Sequence, residues 1–155
     1  MADEQAQAQG DNQPQFALQR IYQKDMSFES PNSPDVFRAQ WAPQVKLDVN
    51  TGAKALEGDL YESVLTLTVT VENAGKVAYL VEIKQAGIFG IKNIDDETKK
   101  QLLGSLCPTT LFPYAREAVD SAAGRGGFPP LHLAPINFDA LYASAAQQEA
   151  AESKH

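Results

Sequence analysis

The stretch LYESVLTLTVTVE, residues 60–72, alternates with a period of two: Leu65, Leu67, Val69 and Val71 fall on one side, Thr66, Thr68, Thr70 and Glu72 on the other. Successive side chains of a β-strand point to opposite faces, so the pattern predicts a strand with one buried and one wet face. Threonine is β-branched and tolerates water, which suits it to the outer side. A sheet with a wet face is the habit of antiparallel strands. Beyond Asn73-Ala74-Gly75-Lys76 the alternation restarts in VAYLVEIKQ, residues 77–85, with Val77, Tyr79, Val81 and Ile83 opposed to Ala78, Leu80, Glu82 and Lys84. Two such runs joined by a short glycine-containing segment read as a hairpin.

Two more strands lie upstream. VKLDVN, residues 45–50, alternates Val45, Leu47 and Val49 with polar residues, and TGAKALEGD after it reads as a loop. FALQRIYQKDMSFE, residues 16–29, alternates with a break near Ile21 and an interruption at Lys24, which predicts a bulge that shifts the face. The cluster Ser30-Pro31-Asn32-Ser33-Pro34 ends that strand, because proline lacks an N–H and restricts its predecessor. Helical spacing begins only after Gly90. Asn93 or Asp95 can cap a helix through DETKKQLLGSL, and Pro108 opens a new helical stretch that Gly124 or Gly126 ends. FPPLHLAP is an extended loop, and Asn137 caps a last helix whose packing face is Leu141, Tyr142 and Ala145. Strands followed by helices give an α+β fold: a four-stranded antiparallel sheet with helices packed on one face.

The 155 residues carry 13 basic and 20 acidic side chains, a net charge of −7. A chain of this length supports one domain, and its negative charge disfavours nucleic acid as a partner. Residues 1–15 hold acids but no base and no large apolar side chain after Met1, so they read as a disordered tail. The domain is expected over 16–142, with a helix end and polar tail over 143–155. The opening residues do not have the form of a secretory signal, and no apolar run reaches the ~18 residues of a membrane span. The expectation is a cytoplasmic protein with no membrane insertion.

Catalytic patterns are missing. There is no phosphate loop, no dinucleotide fingerprint and no paired histidines at metal-ligand spacing. Asp95, Asp96 and Glu97 suit a helix N-terminus without any catalytic task. A lone Cys107 near a helix start could have a lowered pKa, His132 in the Pro-rich loop could be a base, and a small enzyme using Cys107 or His132 is kept as an alternative. The residues otherwise describe a binding protein with no cofactor and no metal.

The run Gln19-Arg20-Ile21-Tyr22-Gln23-Lys24-Asp25-Met26-Ser27-Phe28-Glu29 with its Pro31 and Pro34 closely resembles the opening of the SecB family of bacterial protein-export chaperones. The resemblance continues through Val36-Phe37, Trp41-Ala42-Pro43, Gly87-Ile88-Phe89 and Cys107-Pro108. It then runs through Leu111-Phe112-Pro113-Tyr114-Ala115-Arg116-Glu117 and Phe128-Pro129-Pro130-Leu131, and closes on Leu133–Leu141. It implies an ATP-independent chaperone that holds unfolded preproteins and delivers them to the motor ATPase SecA. It also implies a homotetramer built as a dimer of dimers.

The resemblance places a client groove between the helices and the sheet, for which Trp41, Phe112, Tyr114, Phe138 and Tyr142 are the candidates, with Phe128 among the aromatics nearby. Asp25, Glu29, Leu80 and Glu82 align with the family's SecA-contacting positions, and strand alternation allows them to share the wet face. Val81, Ile83 and Gln85 match positions where the family is sensitive to dissociation. Because sheet edges must be paired or blunted, the dimer interface is expected along the first and fourth strands. A SecB-like chaperone serving a toxin–antitoxin pair is the other alternative.

Overall fold

The computed structural model describes residues 12–153. Four strands, β1 (Gln15–Glu29), β2 (Gln44–Ala55), β3 (Leu60–Asn73) and β4 (Lys76–Lys92), form one sheet in the order β1-β4-β3-β2. Every neighbouring pair is antiparallel. The β3–β4 turn places Ala74 and Gly75 at φ 54° and 78°, the positive-φ pair that a two-residue hairpin needs.

Two strands outrun their sequence pattern. Thr51–Ala55 was expected as loop, yet it pairs onto β3 as far as Ala55 opposite Tyr61, leaving Leu56–Asp59 as the connection. β4 continues past Gln85 to Lys92 because β1 and β3 take up its backbone groups on both sides. Gly87 and Gly90 hide this extension from any alternation rule. A Cβ at Gly87 would lie 3.0 Å from the Phe89 ring and 3.1 Å from Leu111, so the bare backbone lets a helix approach closely there.

The helical half opens with α1 (Asp96–Gln101), which Asp95 caps by accepting from the Thr98 N–H at 3.0 Å. A π-turn (Leu102–Leu106) leads directly into α2 (Cys107–Arg125). The sequence suggested a break at Pro108; instead the wider turn, closed by the Cys107 N–H on the Leu102 carbonyl, carries the helix past a residue that has no N–H to give. Gly127 at φ 90° ends the segment, and α3 (Phe138–Glu152) starts at the Asn137 cap. The tail expected at 1–15 falls mostly on residues outside those described, although Gln15 already belongs to β1. α3 runs to Glu152, through most of the 143–155 segment expected as a helix end and polar tail.

α2 packs across β4 and β3. Leu111, Ala115 and Val119 meet Leu65, Leu67, Val69 and Val71 of β3 and Tyr79, Val81 and Ile83 of β4, all fully buried. Each large aliphatic side chain buried this way contributes about 1.5–3 kcal/mol. The opposite face of the sheet carries Thr66, Thr68, Thr70, Glu82 and Lys84 and stays partly open. The helices therefore lie on one side, as the alternation required.

The expected single break in β1 is two bulges. Register shifts between Leu18 and Arg20 and between Gln23 and Asp25 leave Gln19 and Lys24 as extra residues on either side of Ile21. Each insertion flips the side-chain parity. Leu18, Ile21, Met26 and Phe28 consequently stand opposite Phe89, Gly87, Ile83 and Val81, the helix-facing residues of β4.

The edge argument for assembly needs correction. β4 is an interior strand, paired on both sides, and the free edges belong to β1 and β2. Val81 and Ile83 are fully buried in the core that α2 covers, and Gln85, on the same side of β4, is 5% exposed.

Candidate functional site

The register decides which residues share the open face. Glu29 stands directly opposite Leu80, Ser27 opposite Glu82 and Asp25 opposite Lys84. Directly paired side chains sit about 4.5–5.5 Å apart at Cβ and diagonal ones about 7–8 Å, so Asp25, Glu29, Leu80 and Glu82 form one contiguous area. Asp25 and Glu29 are exposed, while Leu80 and Glu82 are half-buried. Glu82 accepts a hydrogen bond from the Thr68 hydroxyl at 3.2 Å. Among the described residues, none of the three carboxylates is held in an ion pair. They remain available to a basic partner.

The five candidate groove aromatics do not form one set. Trp41 belongs to a cluster at one end of the helix-facing side, with its ring 5.7 Å from Phe128, which is itself 5.0 Å from Phe37 and 4.7 Å from Tyr79. Phe28 stacks on Tyr79 at 5.7 Å. At the other end Phe112 meets Phe138 edge-on at 6.1 Å, beside a cavity of about 200 Å³. Tyr142 lies over Gly104, where any Cβ would overlap its ring. Tyr114 is 51% exposed and stands apart from both groups. Phe37 and Tyr79 were not among the expected groove residues, although Phe37 sits in a quoted motif and Tyr79 in a legible strand; only the loop closure brings them to Trp41.

Backbone clamps build the first cluster. Asn73, 2% exposed at the end of β3, donates to the Gln40 carbonyl at 3.1 Å and accepts from the Ala42 N–H at 2.8 Å. It thus grips the chain on both sides of Trp41. Asn32 donates to the Val77 carbonyl at 2.8 Å and ties down the start of the same loop. The Phe128 side is held by Asp120, whose Oδ1 accepts from the N–H groups of Leu131 at 2.9 Å and His132 at 3.3 Å. Burial, and then the nearby Asp120 charge, push the Tyr79 hydroxyl up to about 12, so it remains a neutral phenol. Apolar rings on two tethered loops, facing away from the acidic area, suit extended chains with exposed apolar side chains.

Cys107 lacks the exposure and the lowered pKa of a reactive thiol. It is buried at the start of α2, and burial pushes its thiol up to about 12, opposite to the lowering a helix start could produce.

The family described as preprotein translocase subunit SecB matches residues 9–149, which spans both faces and both loops. This chain belongs to the SecB family. It is 59% identical over 150 residues to the protein-export protein SecB of Pseudomonas savastanoi pv. phaseolicola, covering 96% of this chain and 93% of that one. The SecB of Pseudomonas fluorescens strain Pf0-1 is 57% identical over 157 residues, covering 99% and 98%. Among solved structures, the SecB-like chaperone Rv1957 of Mycobacterium tuberculosis, in complex with a peptide from the HigA1 antitoxin, superposes with a TM-score of 0.67. It is 16% identical and covers 78% of this chain and 90% of that one, a likeness of fold. The protein is accordingly a protein-export chaperone and not an enzyme. Among the described residues no helix is long and apolar enough to cross a membrane.

Proposed function

We propose that this SecB-family chaperone binds unfolded preproteins along its helix-facing aromatic side and passes them to SecA through the acidic face of the sheet. The observation that supports this division is the pairing of β1 with β4. It turns Asp25 and Glu29 to the side opposite Met26 and Phe28. Client and motor would therefore occupy different faces, and a loaded chaperone keeps its docking surface free. The working form is a cytoplasmic homotetramer, a dimer of dimers. Val81, Ile83 and Gln85 act on assembly from within: the first two support α2, and the Gln85 amide donates to the Tyr22 carbonyl at 3.1 Å, holding edge strand β1.

Trp41 is the one tryptophan and is half-buried against Phe128, so it both tests and reports client binding. Its fluorescence is expected to shift when an unfolded preprotein is added, without nucleotide. Trp41→Ala should weaken calorimetric client affinity by roughly 10- to 30-fold, the loss of about 1.4–2 kcal/mol for one aromatic contact. The sedimentation coefficient should stay unchanged. Equal client affinity in the variant would move the groove elsewhere, to the Phe112 and Phe138 end.

A further inference from the structure

The bulge at Lys24 sets which face the last third of β1 presents. Gln23 pairs with Gln85 and Asp25 with Lys84, so Lys24 is the inserted residue. A one-residue slip at this point would exchange the faces of everything from Asp25 to Glu29. Met26 and Phe28 would turn outward, and Asp25 and Glu29 would turn onto the helix side.

One carboxylate holds this insertion. Lys24 Nζ donates to Glu62 Oε1 at 2.8 Å, and the Tyr22 hydroxyl donates to Glu62 Oε2. Glu62 is on β3, which does not border β1; the bonds reach across β4, where the residue opposite Tyr22 is the small, fully buried Ala86. From the other side Lys54 of β2 approaches the same Oε1 at 3.8 Å. Glu62 is 8% exposed, on a face whose Thr66, Thr68, Thr70 and Glu82 stay partly open. The Lys24 hydrogen bond, followed by that from Tyr22, holds its carboxyl below the usual range despite burial. The pair is half-buried, with Glu62 enclosed and the Lys24 side chain 42% exposed; such pairs add little net stability, and the best-attested use of an enclosed charged partner is to fix a register.

We infer that Glu62 is a positioning residue for the docking face: by gripping Lys24 and Tyr22 it fixes the bulge that presents Asp25 and Glu29 to the motor. The inference rests on the docking reading above and deepens it. Lys24 and Tyr22 need not touch the motor themselves.

The test uses the full-length protein with Glu62→Gln, with the paired Lys24→Met and Glu62→Met variant, and with an Asp25→Ala and Glu82→Lys control. SecA affinity, client affinity and amide hydrogen exchange are measured on each. Glu62→Gln should lower SecA affinity by roughly 3- to 30-fold, the range for residues that act from outside a contact surface. Client affinity should hold, and the amides of Asp25–Glu29 should exchange faster while Leu65–Val71 remain protected. Should Glu62→Gln fail to fold, the paired variant removes both charges together and must show the same pattern. Unchanged exchange over Asp25–Glu29, or equal losses of client and motor binding, overturns the inference. If the control keeps SecA binding, the docking reading fails instead, and exchange over Asp25–Glu29 alone decides whether Glu62 holds the bulge.

Discussion

Asp25→Ala combined with Glu82→Lys is expected to abolish SecA binding while client binding and assembly persist. The formal charges of Asp25, Glu29, Glu82 and Lys84 sum to −2, and the double variant brings that sum to +1. The positions are diagonal neighbours on adjacent strands, so both changes fall within one area a partner must cover. Close charge pairs across protein interfaces couple by about 1.5–7 kcal/mol. Losing two of them and adding a repulsive contact should exceed about 2.7 kcal/mol, a hundredfold in affinity. Neither side chain contributes to the helix-packed core, so the fold has no reason to change. Wild-type binding should itself weaken as salt rises, because the Debye length contracts to about 8 Å at physiological ionic strength and about 3 Å at 1 M. Surface plasmon resonance across a salt series reads both effects. Retained affinity in the double variant would remove the acidic face from the docking reading.

The second large effect concerns Ile83. Read as an interface residue, Ile83→Arg should yield soluble dimers; its position predicts something more severe. Ile83 is 0% exposed, flanked by Met26 and Leu67 and covered by α2. An arginine there would put its charge into a layer of Leu67, Val81 and Leu111 that is fully buried, and a buried charge without a partner costs several kcal/mol. A whole domain of this kind is stable by only about 5–15 kcal/mol. Ile83→Arg is therefore expected to destroy the folded subunit, with loss of near-ultraviolet circular dichroism and of any defined sedimenting species. Ile83→Ala, which leaves only a cavity, should cost about 2–5 kcal/mol and remain folded. Its sedimentation then reports whether loosening the floor beneath α2 also loosens assembly. A soluble, natively folded dimer from Ile83→Arg would instead return Ile83 to a subunit interface.

How far the sequence could be read follows from the range over which each rule acts. Leu65 to Val71 and Tyr79 to Ile83 announced their faces because strand alternation is a property of neighbouring residues. The cap at Asn137 was legible for the same reason, and that at Asp95 as one of two candidates with Asn93, since each grips an N–H three residues ahead. The breakers at Pro31 and Pro34 act where they stand, and Gly126, one of the two glycines offered as the end of the long helix, is its C-cap. The charge balance and the missing phosphate and metal patterns set aside whole classes of chemistry before any fold was known. The motif run from Gln19 to Leu141 carried the family.

Pairing, by contrast, is a relation between distant segments, and only the tertiary structure decided it. The extra lengths of β2 and β4 exist because partner strands satisfy their backbone groups. The helix crosses Pro108 because a widened turn and its packing compensate for the missing N–H. Phe28, Phe37, Trp41, Tyr79 and Phe128 meet because Asn73 and Asp120 fold two loops onto the same end of the sheet. Val81 and Ile83 look in sequence like any strand residues, and only the strand order makes them interior. Most plainly, Lys24 and Glu62 are 38 residues apart and on non-adjacent strands. Their bond, reaching over Ala86, depends on the register of three strands at once, which no local pattern contains.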